Sequence, residues 1–237
     1  MTDSAGPPLT TPTRPLRIAL LGAESTGKST LAAQIAAQLT RRGHSCAAVP
    51  EVLREWCETE GRTPRRDEQA TIAHEQARQA LAPVDVDFVI ADTTPLMTAV
   101  YSQLLFDDDA LIAFALAHQQ YYHLTLLMGL DLPWVADGHQ RDGPQVREPV
   151  DGLLRTALAG AGQPWQVIYG QGNTRCQNAL NTIDSIAKTH HLTLARVEND
   201  AENGPKARWG WSCEKCGDAD CEHRLFTSLV SDPAAPR

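Results

Sequence analysis

The octapeptide Gly22-Ala23-Glu24-Ser25-Thr26-Gly27-Lys28-Ser29 limits what this chain can become more than any other feature, because it fits the phosphate-binding pattern G-x-x-x-x-G-K-[ST] at every fixed position. The pattern works mechanically only between a buried strand and a helix. Residues 16–21 (LRIALL) read as that strand, and Leu31, Ile35 and Leu39 recur at helical spacing as one buried face beyond the turn. In such a turn the glycines permit a tight backbone path, and main-chain N–H groups at the helix N-terminus face the phosphates. Lys28 reaches the β and γ oxygens, and the Ser29 hydroxyl ligates Mg²⁺. Glu24, Ser25, Thr26 and Thr30 complete the expected nucleotide-contact set. The expected ligand is Mg²⁺-ATP, since the chain carries no N-K-x-D motif for reading guanine.

The rest of the chain alternates strand and helix. Residues 45–49 read as a strand, a polar helical stretch runs from Glu51, a second helix opens at Asp67, and residues 86–91 form a continuous apolar strand suited to a sheet covered on both faces. Helical patterns occupy residues 95–122, strands follow at 124–128 and 165–169, and a helix spans residues 173 to about 190. This order predicts an α/β fold of the P-loop NTPase and kinase type, a doubly wound, mostly parallel sheet flanked by helices. Residues 1–14, with Pro7, Pro8 and Pro12 among Thr, Ser and Gly, read as an extended arm. Residues 15–198 read as the catalytic domain and residues 199–237 as a Cys-rich tail. Residues 131–149 hold Pro133, Pro144, Pro149, Gly138 and Gly143 with little apolar period, and read as a mobile loop that serves as a lid.

Composition narrows the partners. At 237 residues the chain has room for one well-buried domain, and a net charge of -8 leaves no basic surface for nucleic acid or anionic membranes. Small molecules are the expected partners. No apolar run reaches the ~18 residues of a membrane span, and the first residues lack the apolar core of a signal peptide, so a cytoplasmic location is expected. Nothing in the sequence sets an oligomeric state.

Transfer chemistry needs further groups at the strand ends. Asp92, directly after an apolar strand, is placed to hold the metal's water shell, or else to cap the helix opening at Pro95. Glu51 lies at the end of the second strand, where open α/β sheets bind ligands, and can accept a hydroxyl proton. Arg54 falls on its helical face, and an ordinary solvated helix start is the alternative for both. Arg141 and Arg147 in the loop are guanidinium groups able to close over a transferring phosphoryl group.

Taken together, G-A-E-S-T-G-K-S-T at 22–30, P-E-x-x-R-E at 50–55, D-E-Q-A-T-I-A-H-E-Q at 67–76, V-I-A-D-T at 89–93, P-W-V-A-D-G at 133–138 and Arg175 resemble the ribosylnicotinamide kinase domain of the NadR type. The resemblance covers about residues 16–188. It implies transfer of the γ-phosphoryl of ATP to the 5′ hydroxyl of nicotinamide riboside under a closing lid. It gives Lys28, Ser29, Asp92 and a lid arginine near Arg141 to the phosphates and metal, Arg175 to the nucleotide, and Glu51, Arg54, Gln76 and Trp134 to the acceptor side. Val52 and Thr94 depart from the family, which usually has Tyr after the glutamate and an acidic or amide residue two past the strand aspartate. Trp56, Tyr101 or Trp134 would then supply the aromatic face for a cationic ring. A kinase without an adenylyltransferase is expected, because no H-x-G-H signature is present. The alternatives are a kinase for another nucleoside or small hydroxyl compound, and a nucleotide-gated regulatory ATPase. In the tail, Cys213, Cys216, Cys221 and His223 form a Cys₃His set suited to one structural Zn²⁺, or else leave three free thiols.

Overall fold

The computed structural model describes residues 15–135 and 143–194. Five strands, β1 (Leu16–Leu21), β2 (Cys46–Val49), β3 (Phe88–Asp92), β4 (Leu124–Met128) and β5 (Trp165–Ile168), form one sheet in the order β2-β3-β1-β4-β5. Every pairing is parallel. The helices are α1 (Lys28–Arg41), α2 (Val52–Glu60), α3 (Gln69–Leu81), α4 (Pro95–Phe106), α5 (Ile112–Gln119), α6 (Arg147–Ala161) and α7 (Gly172–Thr189).

Alternation along β1 divides the core. Leu16, Ile18 and Leu20 pack with Leu31, Ile35 and Leu39 of α1 and Leu180 and Ile183 of α7. Leu21 packs on the opposite face with Leu96, Met97 and Val100 of α4 and Val150, Leu154 and Leu158 of α6. A sheet covered on both faces needs strands that are apolar throughout, which is why β1, β3 and β4 read as unbroken buried runs. The register sets Leu20 beside Asp92 and Val49 beside Ala91, so Gly22, Glu51 and Asp92 emerge at the same edge of the sheet. That edge, at the strand C-terminal ends beside central β1, is where open α/β sheets bind ligands.

Beyond shifts of one or two residues at strand ends, as where β3 runs Phe88–Asp92 and takes in Asp92, three places differ from the sequence-based expectation. Residues 95–122 split into α4 and α5, because Asp107 adopts φ 50 and closes α4 with a left-handed cap. The helix expected from Asp67 begins as a 3-10 turn over Arg66–Glu68. Glu68 holds that turn by accepting from the Arg65 N–H at 2.8 Å and from the Arg62 guanidinium at 2.7 and 2.8 Å. Finally, the expected loop over 131–149 ends earlier, with α6 starting at Arg147. Pro149 is tolerated there because first-turn N–H groups have no intrahelical partner, and Val150, Leu154 and Leu158 supply the apolar face. Among the described residues no helix is long and apolar enough to cross a membrane.

Candidate active site

The turn between β1 and α1 is shaped by what it passes. Gly22 has φ 150, and a Cβ there would lie 2.8 Å from Met128 Cβ on β4, so only glycine fits. Gly27 has φ 77 at the helix N-cap, and a Cβ would stand 3.2 Å from Leu132 Cδ1. Thr26 is buried, its hydroxyl donating to Ala23 O at 2.7 Å across the loop. Ser25 is tied to the segment after β4, its Oγ accepting from Val135 N at 2.7 Å. Glu24 is also buried, whereas Thr30 lies exposed on α1 beside a groove shared with Asn173 and Cys176 of α7.

Lys28 points back into its own loop, its Nζ donating to Gly22 O at 2.7 Å and Ala23 O at 3.1 Å. Burial pushes its pKa below the ordinary lysine value, and the carboxylates of Glu51 and Asp92 oppose that shift. Both acids therefore lie within electrostatic reach of the ammonium.

Asp92 ends β3 and is 7% exposed. Thr94 is the residue that caps α4, its side chain accepting from Leu96 N at 3.2 Å, so the carboxylate of Asp92 is left for another role. Burial raises the Asp92 pKa and Glu51 adds to the shift, while a hydrogen bond from Ser29 and the charges of Lys28 and Arg54 lower it. Asp92 Oδ1 is buried with no hydrogen-bond partner among the described residues. A hydroxyl bonded to a carboxylate that keeps one oxygen unmatched fits Mg²⁺, which takes one or two protein oxygens and completes its octahedron with water and phosphate. The backbone bends sharply immediately afterwards, with Thr93 at φ 82, a strained value for a β-branched residue.

Glu51 precedes the first residue of α2 in extended conformation. Arg54 reaches back one turn to it, Nη2 lying 3.2 Å from Glu51 Oε2. Beneath them Gln76 of α3 donates from Nε2 to Pro50 O at 3.1 Å and accepts from Val52 N at 2.8 Å on Oε1. Gln76 thus has its amide spent on the backbone either side of Glu51 and fixes that residue from behind.

A cavity of about 360 Å³ opens over the loop, lined by Lys28, Glu51, Arg54, Gln69, Tyr101 and Phe106 among others. Tyr101 brings an aromatic ring to it from α4. Trp56 instead carries the Arg62 guanidinium 4.8 Å above its ring, and Trp134, half-buried after β4, is not among the lining residues. Of the three aromatic candidates named from the sequence, Tyr101 is the one among the lining residues, whereas Gln69 was inconspicuous, at a helix start beside better-known motif positions.

Arg147 and Arg175 are anchored. Arg147 is buried at the start of α6 and donates to Leu132 O at 2.8 Å, so it braces the segment after β4 where the sequence suggested a loop cation. Arg175, 3% exposed on α7, lies 3.2 Å from Asp131 Oδ1 and donates to Gly129 O and Gly170 O. Arg141 and the Cys213, Cys216, Cys221 and His223 set lie outside the described residues.

A family model described as AAA domain matches residues 17–175. The chain belongs to the AAA domain family. Its match runs from within β1 to the early part of α7 and so takes in the whole cavity edge. Among solved structures this AAA domain is similar to the NadR protein in complex with NR, with 18% identity, a TM-score of 0.62, and coverage of 78% of this chain and 52% of that one. A NadR protein in complex with NAD and AMP-PNP aligns at 20% identity and TM-score 0.57, over 78% of this chain and 51% of that one. The chain therefore spans about half the length of these NadR proteins. Deoxyadenosine kinase from M.mycoides, with products dcmp and dcdp, aligns at 15% identity and TM-score 0.51, over 71% of this chain and 99% of that one. At these identities the likeness is one of fold. A search of curated proteins finds no match.

Proposed function

We propose that this AAA domain is a Mg²⁺-ATP-dependent kinase that phosphorylates the 5′ hydroxyl of a nucleoside, nicotinamide riboside foremost. One observation carries the reading. Glu51 and Lys28 line the same cavity, with Asp92 behind them within electrostatic reach of both. A base, a phosphate-binding cation and a metal carboxylate thus converge on a space large enough for a nucleoside, and positioning with charge stabilisation is most of what phosphoryl transfer requires.

In this mechanism the loop N–H groups and Lys28 hold the triphosphate, and Lys28 leaves the carbonyls of Gly22 and Ala23 for the β and γ oxygens. Ser29 and Asp92 would hold Mg²⁺, which would supply neutralisation of the phosphate charge. Glu51 accepts the proton of the 5′ hydroxyl as its oxygen bonds to the γ phosphorus. The bond from that phosphorus to the bridging oxygen breaks, and ADP leaves with the electron pair. Arg54 orients Glu51 and offsets charge on the transferring group. Arg141, on the strength of its sequence context, is the cation assigned to cover the phosphates.

The NadR likeness supports a pyridine nucleoside as acceptor, as one of those proteins is bound to NR. The likeness to a deoxyadenosine kinase over 99% of its chain supports a second reading, a nucleobase nucleoside as acceptor. Incubating the protein with Mg²⁺-ATP and a panel of nucleosides, with mass spectrometry of the products, separates the two. A monophosphate of nicotinamide riboside formed in preference to those of adenosine and deoxyadenosine is expected, and no phosphorylated nucleoside at all would overturn the kinase reading.

A further inference from the structure

Gln69 is the first residue of α3 and only 3% exposed, yet it lines the cavity that holds Glu51 and Arg54. Its side-chain Oε1 is buried with no hydrogen-bond partner among the described residues. The contrast with Gln76, two turns along the same helix, is instructive, because there both amide atoms are satisfied by backbone. A buried amide left unmatched is costly in a folded protein. The unmatched atom is an acceptor, so it calls for a donor from whatever fills the space beside it.

Tyr101, Leu105 and Phe106 of α4 also line the cavity, as do Leu53 and Pro64. Apolar and aromatic side chains together with the one amide of the lining, Gln69, favour a flat ring bearing a polar edge. The charged groups, Lys28, Glu51 and Arg54, cluster at the phosphate end. An amide offers one acceptor and one donor group, so it pairs with an edge that also offers both, a carboxamide or the amide-like edge of a nucleobase. A carboxylate offers only acceptors and would oppose Oε1.

We propose that Gln69 is a specificity-determining residue that reads an amide-type edge on the acceptor's ring and selects it over a carboxylate. The inference rests on the reading of this cavity as a nucleoside site, and its test is separable from catalysis. Equilibrium binding of nicotinamide riboside, nicotinic acid riboside and adenosine is measured by calorimetry for the wild type, Gln69→Leu and Gln69→Glu, alongside kcat/KM for each nucleoside and KM for ATP. Wild-type protein should bind the carboxamide or nucleobase compound at least tenfold more tightly than the carboxylate, and adenosine against nicotinamide riboside decides which edge is read.

Gln69→Leu should bring that ratio close to one, with KM for ATP unchanged, and Gln69→Glu should weaken the carboxylate compound further. Nucleoside binding without turnover, still discriminated through Gln69, would support this role while removing the kinase reading. Discrimination unchanged in both variants, or no nucleoside bound by a folded wild type, would overturn it. Melting curves establish that each variant is folded, and Gln69→Met replaces Gln69→Leu should the latter not fold.

Discussion

Arg175 of α7 and Asp131 beyond β4 form an ion pair of 3.2 Å in which the arginine side chain is 4% exposed and the aspartate 16%. The same aspartate accepts from Gly170 N at 2.7 Å, and the same arginine donates to carbonyls on both turns, so the pair fastens the end of β4 to the end of β5. Removing one member leaves the other charged and poorly solvated. Asp131→Ala should lower the unfolding free energy by about 3 kcal/mol, within the range for breaking a buried pair, as read from urea midpoints.

Lys28→Ala should eliminate detectable phosphoryl transfer. Its Nζ contacts are to loop carbonyls alone, so the circular dichroism spectrum should remain native. Retention of wild-type turnover would remove Lys28 from the phosphate site.

Glu51→Gln keeps the shape of the side chain and removes the proposed base, so kcat should fall by about 10²- to 10⁴-fold. ATP affinity, measured by calorimetry, should change little. Collapse of ATP binding instead would place Glu51 with the metal.

Gln76→Ala leaves the backbone of Pro50 and Val52 without its buried partner. A stability loss of roughly 1–3 kcal/mol should accompany a fall in kcat larger than any change in KM, because both amide atoms of Gln76 bond the backbone on either side of Glu51. Steady-state kinetics beside thermal melts separate the two effects.

Asp92 gives a pH-dependent prediction. Burial raises its pKa, so the folded protein takes up a proton more readily than the unfolded chain, and the stability linked to this group is present at low pH and lost as pH rises through the folded value. Without nucleotide or metal, Asp92→Asn should therefore be more stable than wild type at pH 7. The gap should close as pH falls towards the ordinary aspartate range, while phosphoryl transfer is lost at every pH. Urea titrations across pH check the first statement and product assays the second.

What could be read from the sequence follows what is local. Leu16–Leu21 and Leu124–Met128 have the bounds expected from their apolar runs, since a strand buried on both faces leaves little ambiguity. The three-residue spacing likewise put Arg54 on the helical face of Glu51, where the two are found paired. The start of α6 was hidden by Pro144 and Pro149, whose turn signal outweighed an apolar period that emerges only from Val150 onwards. The environments of Gln69 and Gln76 were not legible, because one faces a cavity and the other a backbone segment, and both neighbours are brought close only by tertiary packing.

The strand order also governs how the chain is assembled. β1 leaves the ribosome first yet lies at the centre of the sheet, and its neighbours begin at Phe88 and Leu124. No short hairpin can shelter it, since parallel partners need long crossovers. The nascent chain therefore carries an apolar strand and a glycine-rich turn exposed until β3 and then β4 have been made, and their long-range pairing is intrinsically slow. Synthesis thus shapes the nucleotide loop late: Met128, whose Cβ leaves room only for glycine at position 22, is among the last pieces of the site to arrive.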